Sequence, residues 1–192
     1  MRHRLPGLVL VICLSASFSA QTDEWKQYRN TAGNFTVLFP GEPQDTLNGE
    51  SSGMQSHTLM AMQKPSGYMV VYTNITSEQK VDDQTYGIFK DGFLKELPKC
   101  EVRKEEAPSP AIRGYIGHSY TLGCEAVNLT GNLYWGKHYA YAVMALYPLN
   151  TQGPPNVKRF LDSFALLESD TSRDPNESST ISLLDADGRC EE

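Results

Sequence analysis

The sequence lacks any apolar run of transmembrane length. Its N-terminal run, Leu8–Leu14, covers seven residues, whereas a membrane-spanning helix needs about 20. Arg2 and Arg4 precede this run and small residues follow it, which is the pattern of a secretory signal peptide over residues 1–20. Cleavage after either of the last two residues of this segment fits the pattern. We therefore expect an exported protein, periplasmic or extracellular, with no transmembrane segment in the mature chain.

The sequence also lacks an excess of basic residues. Its formal net charge is −6, and residues 21–167 carry fifteen acids and thirteen bases, mixed along the chain. Residues 168–192 carry eight acids and two arginines. A nucleic-acid-binding surface needs a basic face that neutralises phosphates. We therefore predict no nucleic-acid partner.

Signals for catalysis, cofactors and metals are scarce. The glycines are dispersed at turns rather than gathered in a phosphate-binding loop. The histidines after residue 20 have no second histidine or cysteine at a metal-ligand spacing. They are His57, His118 and His138. We therefore predict no catalytic residue, no cofactor and no metal.

The segment closest to a hydrolase motif is GHSYTLG, at Gly117–Gly123. A nucleophile elbow needs glycine two residues before and two residues after the serine, but Thr121 occupies the second position. On a strand, the adjacent His118 and Ser119 point to opposite faces and do not pair. An esterase-like hydrolase is therefore the third interpretation, behind two binding functions.

Cysteine is rare, with four residues in the whole chain, one of them inside the predicted signal peptide. The segments CEVRKEE and YIGHSYTLGC flank a turn, and each of Cys100 and Cys124 lies twelve positions from residue 112. If the two strands fold back symmetrically, these cysteines stand opposite one another, within the Cα separation that a disulfide requires. We predict a Cys100–Cys124 disulfide, which leaves Cys190 as a free thiol or an intermolecular link.

Alternation of period two marks several strands. Phe35, Val37 and Phe39 share one side of the segment FTVLFP, where proline and glycine then end the strand. SHTLMAMQ, GYMVVYTNI, CEVRKEE, YIGHSYTLGCEAVNL and LYWGKHYAYAVMALY are the further candidates. The segment ALLE closes the core.

Two segments have helical periodicity instead. In DDQTYGIFKDGFLKELP one stripe collects the apolar residues, namely Tyr86, Phe89, Phe93, Leu94 and Leu97. Asp82 or Asp83 suits the N-cap and Pro98 the end. PPNVKRFLDSF predicts a second, shorter helix. Strands in antiparallel succession with inserted helices predict an α+β fold: a single antiparallel sheet of about six to seven strands, flanked by two helices.

The long strand near residue 140 has two different faces. One face carries Tyr139, Tyr141 and Tyr147, and the other carries small residues such as Ala140 and Ala142. The tyrosine face either binds a small apolar or aromatic ligand or is covered by the second helix. Both interpretations stay open from the sequence alone.

Several phrases resemble a family of small exported proteins. They are WKQY, AGNFTVLFPGEPQ, GYMVVYTNI, GYIG and the closing FLDSFALLE. Together they span Trp25 to Glu168 and make the chain similar to proteins of the PsbP and DcrB type. The resemblance implies a PsbP-like sandwich, an antiparallel sheet flanked by helices. It also implies an accessory, assembly or envelope role, and it carries over no catalytic residue because the matching positions are structural.

Three regions follow: a signal peptide at 1–20, a PsbP-like α+β domain at 21–168, and an acidic tail at 169–192. The first interpretation is an exported, non-enzymatic accessory or interaction domain with a protein partner in the cell envelope or outside the cell. The alternative is a small-ligand-binding protein that uses the tyrosine face.

The tail is rich in Ser, Asp and Glu and poor in aromatic residues, so we expect it to be disordered. A variant that ends at Glu168 should keep its melting temperature within a few degrees of the full chain. A loss of about 1 kcal/mol would shift the melting of a domain of this size by about 2–5 °C. A much larger drop in a calorimetric scan would show that the tail docks on the domain.

Overall fold

A computed structural model describes residues 24–51, 54–75, 77–97, 99–151 and 153–167. The predicted signal peptide, the acidic tail with Cys190, and Pro98 lie outside the described residues. The described residues form ten strands and two helices. In chain order these are β1 (Trp25–Asn30), β2 (Phe35–Pro40), β3 (Gln44–Ser51), β4 (Met54–Gln63), β5 (Ser66–Ile75), α1 (Asp83–Lys95), β6 (Cys100–Glu106), β7 (Ile116–Cys124), β8 (Val127–Trp135), β9 (Tyr139–Pro148), α2 (Pro155–Asp162) and β10 (Ala165–Leu166).

The α+β class is confirmed, but the prediction of a single sheet is wrong. Seven strands form one antiparallel sheet in the order β3-β4-β5-β9-β8-β7-β6, and three form a second sheet in the order β1-β2-β10. Pro40 ends β2, and Gly41 turns the chain with a φ of +99°, a conformation that glycine adopts without strain. The Pro-Gly segment therefore separates the two sheets, because β2 belongs to one and β3 to the other.

Two segments that were predicted as single strands each form two strands in the structure. YIGHSYTLGCEAVNL divides at a bend over Glu125–Ala126, and LYWGKHYAYAVMALY divides after Trp135. At the second point Gly136 N–H donates to the Tyr139 carbonyl at 2.9 Å, which closes the β8–β9 hairpin. Residues 125–126 and 136–138 form these two short turns, and the strand-like residues on both sides of each hide the break from the alternation pattern.

The seven-stranded sheet has two faces, each with its own core. The small sheet and α2 cover the face that we call the sandwich face; β2 contributes Phe35, Val37 and Phe39, all fully buried there as the alternation predicted. Helix α1 packs on the opposite face, which we call the α1 face, mainly over β7 and β8. The sheet is therefore enclosed on one side and only partly covered on the other.

Helix α1 begins at a well-formed cap. Asp82 accepts a hydrogen bond from the Thr85 N–H at 2.9 Å, and the Thr85 hydroxyl contacts the Asp82 backbone in return. The hydrogen bond from Lys80, followed by that from the Thr85 N–H, lowers the pKa of Asp82 to about 2. These two contacts with Thr85 confirm Asp82, rather than Asp83, as the N-cap.

The apolar stripe of α1 faces the sheet as predicted, but its burial is uneven. Tyr86 is buried, whereas Phe89, Phe93, Leu94 and Leu97 are only partly buried against the core. Helix α2 is packed more tightly, with Val157, Phe160 and Leu161 all buried. Helix α1 thus leaves part of its own apolar side open.

The predicted disulfide is confirmed. Cys100 on β6 pairs in register with Cys124 on β7, with a Cα–Cα distance of 4.0 Å and an S–S distance of 2.00 Å. The symmetric fold-back holds only at this end, because Arg103 is an extra residue that shifts the register. Its guanidinium lies over Gly123 and donates to Asn128 Oδ1 at 3.0 Å.

Two phenylalanine truncations should separate the enclosed face from the partly covered one. Phe39→Ala should lower the free energy of unfolding by about 3–5 kcal/mol, because the ring is fully buried. Phe93→Ala should cost about 1 kcal/mol, since a half-buried ring loses only part of its transfer free energy. Urea denaturation measures both. Equal losses would mean that α1 is packed as tightly as the small sheet.

Removal of the disulfide should destabilise the hairpin at the sheet edge. Cys100→Ser with Cys124→Ser should lower the free energy of unfolding by about 3 kcal/mol, because the bond closes a loop with a separation of 24 residues. Cys190→Ser is the matched control and should leave stability unchanged. Non-reducing peptide mapping checks the pairing, and a dominant Cys190-linked peptide would contradict it.

Candidate functional site

The predicted tyrosine face lies in the sandwich core. Tyr141 is 0 % exposed, and its hydroxyl donates to the Gly33 carbonyl at 2.8 Å. Tyr147 is buried with its hydroxyl 2.8 Å from Thr130 Oγ1, and half-buried Tyr139 stacks on Tyr141 at 5.9 Å. Of the two open interpretations, the covered face is the one observed. Helix α2 was the expected cover, whereas the contribution of the small sheet was not foreseen.

The His118–Ser119 pair separates as strand alternation requires. Ser119 lies on the sandwich face and donates to Asn132 Oδ1, beside a pocket of about 330 Å³ at the start of α2. His118 lies on the α1 face with its Nδ1 2.9 Å from Glu105 Oε1. A nucleophile and its base must share one hydrogen bond. The geometry therefore gives no support to an esterase-like site at these residues.

His118 instead belongs to a network that fastens α1 to the β6–β7 hairpin. Tyr120 O–H donates to Glu105 at 2.9 Å, and the hydroxyls of Tyr86 and Tyr120 are 3.0 Å apart. The ring of His118 stacks on Tyr86 at 5.2 Å. Burial raises the pKa of Tyr86 to about 12. Burial, followed by the hydrogen bonds with Tyr86 and Glu105, also raises the pKa of Tyr120. Both phenols are neutral at physiological pH, so the network holds the helix rather than supplying a base.

A large concave site lies on the α1 face, and we call it the α1 groove. It has a volume of about 730 Å³ and lies between α1 and the β3–β5 end of the large sheet. The helix supplies Thr85, Ile88, Phe89, Gly92 and Phe93, and its C-cap supplies Glu96. The sheet supplies Asn48, Met54, Ser56, Val71, Thr73 and Trp135, and Ser77 and Gln79 lie on the connection before α1.

The groove lies where α1 leaves β5 only half covered on the α1 face, with Val71 and Thr73 partly exposed. Helix α1 packs over β7 and β8, and β9 presents small side chains such as Ala140, which borders an extension of the groove. Trp135 is held in place because its indole N–H donates to the Lys80 carbonyl at 3.0 Å, while its ring lies 5.3 Å from that of Phe89. The aromatic side chains of Phe89, Phe93 and Trp135 therefore line one side of the groove, which we call the aromatic wall, and β5 lines the other.

The chemistry of the lining suits binding more than reaction. Most of the lining surface is apolar, although several lining side chains are polar. The hydroxyls of Ser56 and Thr73, 3.3 Å apart, lie on its sheet side. Among the described lining residues, Glu96 is the only ionisable side chain. Ligand pockets commonly have volumes of about 300–1,000 Å³ and combine apolar walls with a few polar groups. The α1 groove matches that description.

Sequence reasoning missed this groove, although two signals pointed to it. Ile88 lies outside the predicted stripe and is 69 % exposed, so the helix is apolar beyond the side that faces the core. Gly87 and Gly92 stand inside the helix, where each glycine costs about 1 kcal/mol relative to alanine. An open lateral face on α1 explains the first signal, and Gly92 borders the groove.

Other site classes find little support in the part of the chain described. Within those residues, no three or more His, Cys, Asp and Glu side chains come together in a group able to hold a metal ion. Neither of the two described helices is long and apolar enough to cross a membrane. His57 instead bonds to Asp45 at 3.1 Å and stacks on Tyr72.

Comparison with known proteins adds no identification. The sequence matches no protein-family model and no curated protein. The resemblance to the PsbP and DcrB type therefore stays a prediction, and the function is argued from the α1 groove alone.

Proposed function

We propose that this protein binds a small apolar or aromatic molecule in the α1 groove without transforming it. The observation that carries the proposal is the aromatic wall of Phe89, Phe93 and Trp135 beside an open volume of about 730 Å³. An apolar ligand that enters the groove removes both its own surface and that wall from water, which contributes about 25 cal/mol per Å² buried.

The lining suits an uncharged ligand better than a charged one. Glu96 supplies the only formal charge of the described lining, and no lysine or arginine takes part. The polar groups are hydroxyls and amides, including Asn48, which already donates to Thr58 at 2.8 Å. Such groups orient a polar end of a ligand whose body is apolar.

Binding without chemistry agrees with the wider role expected from the sequence. An exported accessory domain of the PsbP or DcrB type, with a partner in the envelope or outside the cell, remains our proposal for that role. Its support is the signal-peptide pattern of residues 1–20 and the quoted motifs. Ligand binding moves here from the tyrosine face to the α1 groove, because the tyrosines are covered.

The two helix glycines offer a matched test. A Cβ on Gly92 or on Gly87 would meet no atom within 4 Å, but only Gly92 lines the groove. Gly92→Leu should therefore fill the groove and weaken binding at least tenfold, a loss of about 1.4 kcal/mol. Gly87→Leu should leave affinity within about twofold. Both should stabilise the helix by about 1 kcal/mol, so a loss of binding will not reflect unfolding.

The neutral aromatic dye N-phenyl-1-naphthylamine is a suitable probe, read by energy transfer from tryptophan. The chain has two tryptophans, and Trp25 lies in the sandwich core. Trp25→Phe leaves Trp135 in the groove as the donor. Saturable transfer that Gly92→Leu abolishes supports the proposal. Absence of binding, or equal effects of the two glycine variants, would reject it.

A further inference from the structure

The methionines are distributed on one face of the molecule. The chain has six, and apart from Met1 all lie within the described residues. Leu59 and Ala61 of β4 point into the sandwich core, so the alternate residues Met60 and Met62 point to the α1 face. Met69 and Met144 pack in the core of that face, and Met54 lines the α1 groove. All five described methionines therefore share the α1 face.

Three of them are neighbours on the β4–β5 hairpin. Met60 pairs with Met69 and Met62 pairs with Gly67 in the antiparallel register. Residues paired in this way, and those two positions along the same strand, adjoin on one face. The four adjoining positions are thus three methionines and one glycine, which we call the methionine cluster.

Gly67 opens the space into which the thioethers turn. A Cβ at residue 67 would lie 2.9 Å from Met62 Sδ and 3.4 Å from Met60 Cε. Those two atoms are therefore no farther apart than the sum of the two distances, 6.3 Å. Met62 is also 58 % exposed, so the cluster is open to solvent and is not closed by packing.

We propose that Met60, Met62 and Met69 bind a soft monovalent cation, Cu(I). Thioether sulfur is a soft ligand that selects Cu(I) over hard cations. Three thioethers supply a complete trigonal shell, and the unbranched methionine side chain lets each sulfur reorient toward a shared ion. Packing alone does not account for Met62, because its exposed side chain buries little apolar surface.

The absence of an ionisable ligand gives this site a distinctive pH profile. Histidine and cysteine must lose a proton before they bind a metal, so their affinities fall in acid. A thioether carries no such proton. The affinity of the methionine cluster should therefore stay constant between about pH 5 and pH 8, the range over which histidine titrates.

Ag(I), supplied as nitrate in chloride-free buffer, is the probe, because it is an air-stable soft monovalent ion. The protein carries Cys13→Ser and Cys190→Ser, which remove the thiols outside the disulfide. With ¹³C-methyl methionine labelling, the methyl signals of Met60, Met62 and Met69 should shift together and saturate at one ion per chain. Those of Met54 and Met144 should not move. Cu(I) competed against bicinchoninate under anaerobic conditions should give the same stoichiometry.

Leucine variants separate metal binding from apolar contact. Met60→Leu and Met62→Leu keep the size and apolar character of the side chain but remove sulfur, and each should weaken Ag(I) binding by about 10–100-fold, at least the loss expected for an outer-shell partner. Met54→Leu, on the same face but outside the cluster, should change it less than twofold. Gly67→Leu keeps every sulfur but fills the space beside Met62 Sδ and Met60 Cε, and should weaken Ag(I) binding by a similar factor.

Several outcomes would overturn the proposal. They are absence of Ag(I) binding in the cysteine-free background, shifts at histidine rings instead of methionine methyls, loss of affinity at pH 5, and equal effects of Met62→Leu and Met54→Leu. Circular dichroism and melting of each variant exclude unfolding as the cause. The result is independent of the dye titration, because neither Met60, Met62 nor Met69 lines the α1 groove.

Discussion

The fold depends on one buried hydrogen bond, from the Tyr141 hydroxyl to the Gly33 carbonyl. Tyr141 is at the middle of the large sheet and is fully buried, so an unpaired phenol there would cost about 1–3 kcal/mol. Gly33 lies in the turn between β1 and β2, where a Cβ would come within 2.7 Å of the Phe35 ring and 3.0 Å of the Tyr72 ring. The close contact of Gly33 with Tyr72 and Tyr141 packs the small sheet against β5 and β9, and so encloses the sandwich face.

With the sandwich face closed over Tyr141, the larger of the two described pockets lies on the α1 face. Helix α1 is fastened at both ends. The Asp82 cap and the Tyr86–Tyr120 contact hold its beginning, and Cys100, five residues after Lys95, is bonded to β7. The middle of the helix borders the α1 groove without needing full burial. The anchored ends let the helix tolerate Gly87 and Gly92, each of which weakens it.

The features that the sequence predicted are those set by local pattern. Alternation placed Phe35, Val37 and Phe39 in the core, helical spacing placed the α1 stripe, and a symmetric fold-back paired Cys100 with Cys124. The second sheet and the α1 groove were not predicted, because they depend on which distant surfaces meet. The spacing of Tyr139, Tyr141 and Tyr147 indicates that one face of β9 is amphipathic, but it does not predict what covers that face. Export, the acidic tail and the PsbP or DcrB resemblance stay predictions.

The two faces of β9 differ in how they are packed. On the sandwich face, large aromatic rings pack edge to face, such as Tyr141 against Phe35 and Phe164, and such contacts allow little change in volume. On the α1 face, Ala140 borders an extension of the α1 groove, and methionines lie on β4 and β5. Flexible thioethers repack around different shapes at small energetic cost. The proposed ligand site therefore lies on the less tightly packed face, away from the Tyr141–Gly33 contact.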